Sequence, residues 1–273
     1  MPELPEVETT RRGIAPQLTG HRITATVVRD GRLRWPVRAD LPSWLKGRRI
    51  EEVDRRAKYL LLRLGGDASL IIHLGMSGSL RLVQPGTPQR KHDHIDLALD
   101  HGLILRYHDP RRFGSFLDHE GPGEHPRLAG LGPEPLESGF NAEHLARAAR
   151  NRRLAIKKLI MSHAVVVGVG NIYANEALFL AGIHPARPAG ECTPVQLARL
   201  AETIRAVLGE AITQGGTTLR DFVREDGQPG YFAQTLRVYD RTGEPCRHCA
   251  TPIQRLVLDQ RASFYCPHCQ PRP

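Results

Sequence analysis

The sequence predicts an α+β fold in three parts: an N-terminal helix with a β-sandwich or flattened barrel, a helical region, and a C-terminal zinc ribbon. Three observations lead to this prediction. Short segments rich in valine, isoleucine and leucine, separated by turn pairs such as Asp30-Gly31, continue to about residue 118. From Asn141 the pattern becomes helical. Two Cys-x-x-Cys pairs then lie near the C-terminus.

The first six residues place a proline beside carboxylates. If the initiator methionine is removed, Pro2 becomes a free secondary amine close to Glu3 and Glu6. A free α-amine has a pKa of about 7.7–8.0, so part of it is uncharged and nucleophilic at neutral pH. A nucleophilic amine beside a proton-carrying carboxylate suits Schiff-base chemistry. The structural alternative is that Pro5 only begins a helix that runs to about Gln17.

Seven segments after this helix are predicted to be strands because they are rich in β-branched and aliphatic residues between turn signals. They cover residues 21–28, 49–53, 58–64, 69–73, 78–83, 94–100 and 103–108. Lys58 opens the third, where a lysine is usually solvated. His92 and His94 are expected on one face of a strand. They could form a metal pair, but no third ligand is evident, so phosphate contact or a surface pair is favoured.

The segment from Asp109 to Gly114 is predicted to be an exposed turn with two cations, Arg111 and Arg112, and an aromatic residue, Phe113. One interpretation is a basic loop whose phenylalanine packs into the core. The other is a wedge that enters a base stack while an arginine fills the space of an extruded base. Met76, in a glycine-rich turn, is either an ordinary apolar turn residue or a second probe of the same kind.

The region from 119 to 138 collects glycine, proline and charge, and is predicted to be a linker. Helices are expected over residues 141–149, 154–161, 171–181, with Asn171 at the N-cap, and from 193 to the Gly215-Gly216 pair. The Gly168-Val169-Gly170 turn before Asn171 resembles a phosphate site at a helix start, in an element like a helix-turn-helix. The sequence of residues 215–232 shows no periodicity and is predicted to form a long loop, a length often associated with function.

The net charge of +9 over 273 residues predicts a polyanionic partner, nucleic acid first and an anionic membrane surface second. No apolar run approaches the roughly 20 residues that cross a bilayer. The N-terminus is acidic and lacks an apolar signal core. We therefore expect a soluble, intracellular protein that faces nucleic acid.

The C-terminal cysteines, Cys246, Cys249, Cys266 and Cys269, have the spacing of a zinc ribbon. Two such pairs close a tetrahedral site around one structural zinc ion and leave no open position for catalysis. Disulfides are the alternative, which an intracellular location disfavours. Cys192 is expected to be a plain thiol.

Several motifs together resemble the formamidopyrimidine-DNA glycosylase family. They are Pro2-Glu3-Leu4-Pro5-Glu6-Val7-Glu8, His73-Leu74-Gly75-Met76-Ser77-Gly78, Asp109-Pro110-Arg111-Arg112-Phe113-Gly114, Val167-Gly168-Val169-Gly170-Asn171-Ile172-Tyr173-Ala174 and the ribbon from Gln260 to Gln270. The resemblance covers nearly the whole chain in order. It departs from the family at Ala250, where glycine is usual, and in a short tail after the ribbon.

The resemblance implies a bifunctional enzyme that excises oxidised purines from double-stranded DNA and then cuts the abasic strand. It implies that Pro2 is the nucleophile, Glu3 the proton donor and shuttle, and Glu6 a supporting carboxylate. It further implies that Lys58 and Arg261 are proton donors in β- and δ-elimination. The implied gap-filling probes are Met76, Arg112 and Phe113, and the implied DNA-backbone contacts are His92, Arg111, Arg152, Lys157 and Asn171.

With the resemblance, the expected domains are a β-rich catalytic domain at 1–118, a linker at 119–138, a helix-two-turn-helix domain at 139–232 with a lesion loop at 217–231, and the ribbon at 233–273. A monomer that acts in the cytoplasm on the nucleoid, without a membrane partner, is expected. Two alternatives stay open: an oxidised-pyrimidine glycosylase of the endonuclease VIII type, whose start usually has glycine in place of Leu4, and a non-catalytic zinc-ribbon DNA-binding protein.

Overall fold

The computed structural model describes residues 2–216 and 235–272. The predicted lesion loop, at 217–231, and the initiator methionine lie outside the described residues. The chain divides into two compact units, one reaching Ala129 and resuming at Gln214, the other covering Gly130–Thr213 and the C-terminal region. The domain boundaries drawn from the sequence stay predictions.

The first unit is built from one long helix and two antiparallel sheets. Its elements are α1 (Leu4–Leu18), β1 (Ile23–Val28), α2 (Leu41–Leu45), β2 (Ile50–Arg56), β3 (Tyr59–Leu64), β4 (Ala68–His73), β5 (Ser79–Val83), β6 (Asp93–Leu99), β7 (Ile104–His108) and β8 (Ser115–Glu120). The strand orders are β1-β6-β7-β5 and β2-β3-β4-β8. Alternate apolar residues of both sheets, such as Leu62 and Leu97, share one buried core with Val7 and Ile14 of α1. The predicted sandwich with a preceding helix is confirmed.

The second unit contains the remaining helices and the ribbon. Its elements are α3 (Ala142–Ala149), α4 (Ile156–Ile160), α5 (Asn171–Ala181), a short 3₁₀ helix (Ala189–Glu191), α6 (Pro194–Thr213), β9 (Gln254–Leu258) and β10 (Arg261–Tyr265). The long helix α6 packs against α3 and α5, and α5 also contacts β10. Helix α5 therefore joins the helical part of this unit to the ribbon.

Some local predictions were wrong. Helix α1 begins at Leu4, one residue before the predicted Pro5. The N-cap of α5 is Gly170, and Asn171 is its first residue. His92 precedes β6 with a φ of 75°, so it does not share a strand face with His94. The sequence also missed β8, which pairs with β4. Among the described residues, no helix is both long and apolar enough to cross a membrane.

Candidate active site and zinc-binding cluster

The N-terminal segment is held by the first turn of α1. Pro2 is buried, and Glu3 and Glu6 are 2% and 1% exposed. Glu6 accepts a hydrogen bond at its Oε2 from the backbone N–H of Glu3, at 2.8 Å. This contact fixes the backbone directly after Pro2, as in a capping box. Glu6 therefore supports the backbone of Glu3, and its role in catalysis stays a prediction.

A second set of bonds ties α1 to β2. Glu8 Oε2 accepts from Arg55 Nε at 3.1 Å, and Arg55 Nη1 donates to the carbonyl of Ala57 at 2.9 Å. One turn later in α1, Arg11 Nη1 donates to Val53 O at 3.2 Å. Glu8 thus contacts Arg55, and the later helix residue Arg11 contacts the earlier strand residue Val53. Helix α1 therefore runs antiparallel to β2. The N-terminal end of α1 and the Ala57-Lys58 turn therefore lie at the same end of this unit.

Lys58 is 4% exposed, although lysine at a strand edge is usually solvated. It occupies the two-residue turn between β2 and β3, where Ala57 adopts a left-handed φ of 54°. The structure thus brings the predicted nucleophile Pro2, the carboxylates Glu3 and Glu6, and Lys58 to one end of the first unit.

The two predicted probe loops meet in the same unit. Met76 follows β4, and Arg111, Arg112 and Phe113 follow β7. The loops touch through their backbones, because a Cβ added at Gly75 would lie 2.4 Å from the backbone N of Gly114. Any side chain at Gly75, whose φ is also positive at 66°, would push the loops apart.

Phe113 is 46% exposed, so the alternative in which it packs into the core is wrong. The Arg111 guanidinium stacks over its ring at 5.0 Å, and Arg112 donates to Asp30 Oδ2 at 3.0 Å. Met76 and Phe113 line one cleft with residues of the loop after β1, among them Arg32 and Arg34. An exposed aromatic ring framed by cations is the composition expected of a wedge that enters nucleic acid.

The two histidines differ in their surroundings. His94 is buried and its Nε2 lies 2.8 Å from the carbonyl oxygen of Asp109. His92 is partly exposed, and the two ring centroids are 6.1 Å apart. His94 therefore belongs to the interior, while His92 keeps the surface position that a phosphate contact requires.

The second unit holds the remaining predicted contacts. Lys157, on α4, is 2% exposed and donates from Nζ to Ala262 O at 2.9 Å and Ser263 Oγ at 2.7 Å. Asn171 Nδ2 donates to the same Ala262 oxygen at 3.1 Å. Both side chains hold the start of β10, and their predicted contacts with DNA stay predictions. Arg152 is exposed.

Arg261 lies at the tip of the ribbon hairpin. The turn residues Asp259 and Gln260 have φ values of 46° and 60°, and Arg261 pairs with Leu258 across the turn. Positive φ at both turn residues is the type I′ geometry that matches strand twist. Arg261 is exposed, as expected of a residue that reaches a partner.

The four C-terminal cysteines converge as predicted. Their Sγ atoms all lie within 4.8 Å of one another, with 4.0 Å between Cys246 and Cys269, 3.4 Å between Cys249 and Cys266, and 3.6 Å between Cys249 and Cys269. Tetrahedral zinc with Zn–S bonds of about 2.3 Å requires sulfurs about 3.8 Å apart. The cluster therefore fits one structural zinc ion. Ala250, the departure from the family's glycine, has a φ of 61°, a left-handed conformation that strains a residue with a side chain.

Cys192 takes no part in this cluster. It is buried, its Sγ lies 3.8 Å from Pro188 O, and burial raises the pKa of its thiol to about 11. It is a structural thiol, as expected.

Sequence reasoning missed several residues that position the site. Glu8 and Arg55, which tie α1 to the Lys58 turn, are 47 residues apart, and Asp109 and Ser77, which join the probe loops, are 32 residues apart. Glu176, fully buried in α5, accepts the backbone N–H groups of Arg237, Val238 and Tyr239, which lead into the ribbon. The only signal available was that Glu8, Ser77 and Asp109 stand within the quoted motifs. Arg55 and Glu176 lie outside them.

Comparison with known proteins places this arrangement in a family. A family model described as the formamidopyrimidine-DNA glycosylase N-terminal domain matches residues 1–116, and one for the H2TH domain of that enzyme matches residues 131–223. A model of the zinc finger found in FPG and IleRS matches residues 243–272. These matches cover the strands, the helices and the cysteine cluster described above.

Whole-chain similarity agrees with the domain matches. The formamidopyrimidine-DNA glycosylase of Thioalkalivibrio sulfidiphilus is 62% identical over 271 residues, which are 99% of this chain and 100% of that protein. A point mutant of Lactococcus lactis FPG, solved in complex with a Fapy-dG containing DNA, superposes with a TM-score of 0.93 at 32% identity, covering 99% of this chain and 100% of the other. MutM solved with carbocyclic 8-oxo-G containing DNA gives 0.92 at 33% identity with the same coverage. The chain belongs to the formamidopyrimidine-DNA glycosylase family.

Proposed function

We propose that this protein removes oxidised purines, 8-oxoguanine and formamidopyrimidines, from duplex DNA and then cleaves the abasic strand. The observation that carries the proposal is the N-terminal segment. Pro2 is followed by two buried carboxylates, with Glu6 holding the backbone of Glu3, at the same end of the unit as the buried Lys58. The Fapy-dG and 8-oxo-G complexes of the solved relatives support this choice of lesion.

The first step is attack of the Pro2 nitrogen on C1′ of the damaged nucleotide. The amine contributes an electron pair to the new N–C1′ bond and loses its proton, while the bond between C1′ and the base breaks and the base leaves with the bonding electrons and takes up a proton. Glu3 supplies a proton as the sugar ring opens, which gives an iminium ion, since the amine is secondary. Because Glu6 already holds the backbone of Glu3, this segment need not be ordered during the reaction.

Strand cleavage then follows from the iminium ion. Loss of a proton from C2′ drives β-elimination, in which the 3′ phosphate leaves, and a second elimination releases the 5′ phosphate. Lys58 and Arg261 act as proton donors in the first and second eliminations. Water finally hydrolyses the enzyme–sugar bond and regenerates Pro2. The zinc ion supplies no chemistry; when bound, it holds the ribbon that presents Arg261.

DNA binding must bring the damaged nucleotide out of the duplex and into the active site. A base inside a duplex cannot be reached, so the nucleotide must be extruded, which costs a few kcal/mol of unstacking. Met76, Arg112 and Phe113 fill the gap, and the net charge of +9 gives phosphate contacts and salt-sensitive binding. His92, Arg111, Arg152, Lys157 and Asn171 are the residues proposed to contact the DNA backbone. We place the enzyme in the cytoplasm on the nucleoid. We expect a monomer, and light scattering after gel filtration tests this oligomeric state.

The test compares lesions in otherwise identical duplexes. Purified protein is given an 8-oxoguanine duplex and a dihydrouracil duplex, and base release is followed under single-turnover conditions. Faster release of 8-oxoguanine, abolished in Glu3→Gln but retained in the exposed control Glu143→Gln, supports the proposal. Preference for the pyrimidine supports the endonuclease VIII alternative. Tight binding without release supports the non-catalytic one.

A further inference from the structure

Asp109 is a fully buried carboxylate at the base of the probe loops. Its Oδ1 accepts from Ser77 Oγ at 2.7 Å and from the backbone N of Arg111 at 3.3 Å. Its Oδ2 accepts from Tyr107 Oη and from the backbone N of Gly114, both at 2.9 Å. All four donors are neutral, so hydrogen bonds stabilise this buried charge.

These bonds span the whole turn that presents the wedge. The N–H groups of Arg111 and Gly114 bracket Arg112 and Phe113, so one carboxylate holds both ends of the turn. Arg112 has a φ of 55°, an unfavourable conformation for a residue with a side chain. The bonds to Asp109 therefore offset local strain and keep Phe113 exposed rather than folded back.

Ser77 joins this turn to the other loop. Its hydroxyl donates to Asp109 and accepts from the backbone N–H of Arg111 at 3.2 Å. Ser77 directly follows Met76 in the chain. Where the loops touch at Gly75 and Gly114, the space is too small for a Cβ. The two probe loops are thus linked by hydrogen bonds as well as by close packing.

We infer that Asp109, acting through Ser77, is a positioning residue that couples the two loops, so that Met76 and Phe113 enter the DNA as one preformed wedge. The inference rests on the proposed function. A wedge ordered before contact avoids losing loop entropy during base extrusion. Uncoupled loops would have to be ordered during extrusion, which slows excision from a duplex. A substrate without an opposing strand requires no base extrusion from a duplex, so its cleavage rate should not depend on the coupling.

A matched pair of variants isolates the coupling. Ser77→Ala removes the hydroxyl that links the loops. Tyr107→Phe removes a hydroxyl that donates to the same carboxylate from β7. This hydroxyl packs against Gly78 and Gly114, but its hydrogen bond to Asp109 does not join the two loops as the bonds of Ser77 do. Burial raises the pKa of Tyr107 well above its usual value of 10, so this hydroxyl stays protonated and donates as the serine does. Asp109→Asn is less informative. Its amide NH₂ would replace one carboxylate oxygen and face a backbone N–H donor, that of Arg111 or that of Gly114, which would oppose folding.

Three measurements are compared for the wild type and both variants. They are single-turnover excision of 8-oxoguanine from a duplex, cleavage of a single-stranded oligonucleotide with a preformed abasic site, and the fluorescence of 2-aminopurine placed beside the lesion, which reports wedge entry. Ser77→Ala is expected to lower duplex excision and the rate of the fluorescence change about 10- to 100-fold, the range for one hydrogen bond to a charged group. Single-stranded cleavage should stay within about twofold of wild type in both variants, since catalysis itself is not altered.

The outcomes separate the inference from the proposed function. Tyr107→Phe should excise from the duplex at least about fivefold faster than Ser77→Ala, with a similar loss of thermal stability. Equal duplex defects in the two variants, or no defect in Ser77→Ala, overturn the coupling. If the wild-type protein cleaves neither substrate, the proposed function itself has failed.

Discussion

Glu8→Gln tests how one buried carboxylate stabilises α1 and its contact with β2. The Glu8 carboxylate accepts hydrogen bonds from Arg11, Arg12 and Arg55. Burial alone would raise its pKa, but the bonds from Arg11 and Arg12, with the nearby positive charges, lower the pKa from 4.5 to about 2. Glutamine keeps the shape of the side chain and removes the charge.

The expected loss follows from that pKa difference. One pH unit corresponds to about 1.4 kcal/mol, so a pKa of about 2 against 4.5 in the unfolded chain gives about 3 kcal/mol at neutral pH. The side chain is only 10% exposed, so solvent screening reduces this little. Because the folded pKa is depressed, the stabilisation is present above pH 4.5 and is lost as the pH falls towards about 2.

The assay is urea unfolding of both proteins at a series of pH values from about 2.5 to 7. Other carboxylates cancel in the difference between wild type and variant, which should shrink from about 3 kcal/mol at pH 7 to less than about 1 near pH 2.5. Glu143→Gln is the control, since Glu143 is 79% exposed and its pair with Arg147 should contribute less than about 0.5 kcal/mol. A Glu8→Gln effect no larger than the control, or one that does not depend on pH, would refute the reasoning.

The remaining predictions concern the second unit. Zinc removal by a chelator, or Cys249→Ser, should lower Tm and abolish duplex binding, because the cluster is the ribbon's main cross-link. Mass spectrometry of the native protein should show one zinc ion per chain. Unchanged Tm and duplex binding after zinc removal would contradict this prediction. Ala250→Gly should raise stability by about 1 kcal/mol, since it relieves a φ of 61°, and a lower Tm would count against strain at this turn. Cys192, with a pKa of about 11, should be alkylated at pH 8 much more slowly than free cysteine; equal rates by mass spectrometry would show that it is not buried.

Much of the fold was predictable because it depends on local hydrophobic pattern. Strands such as β3 and β4 carry runs of buried leucine and isoleucine between turn signals. The missed strand β8 ends in Asp118, His119 and Glu120, and its pairing with β4 overrides that polar composition. The five-residue helix α2 has too few residues to show periodicity.

The site was predictable where its residues are neighbours in the chain. The cysteine spacing predicted a converging cluster, and the adjacent Pro2, Glu3 and Glu6 predicted an amine close to carboxylates. Contacts between distant residues left no such pattern. The burial of Lys58 depends on how α1 and the β2–β3 turn pack, and the engagement of Lys157 with the ribbon joins residues 105 and 106 positions apart.

The central claim is that the Pro2 amine forms the covalent bond to the damaged sugar. The most direct measurement is borohydride trapping on a duplex with one 8-oxoguanine opposite cytosine, followed by peptide mass mapping. We predict an adduct on Pro2 of a chain that lacks the initiator methionine, and its loss in Pro2→Gly. An adduct on Lys58, or tight binding with no adduct, would contradict the claim.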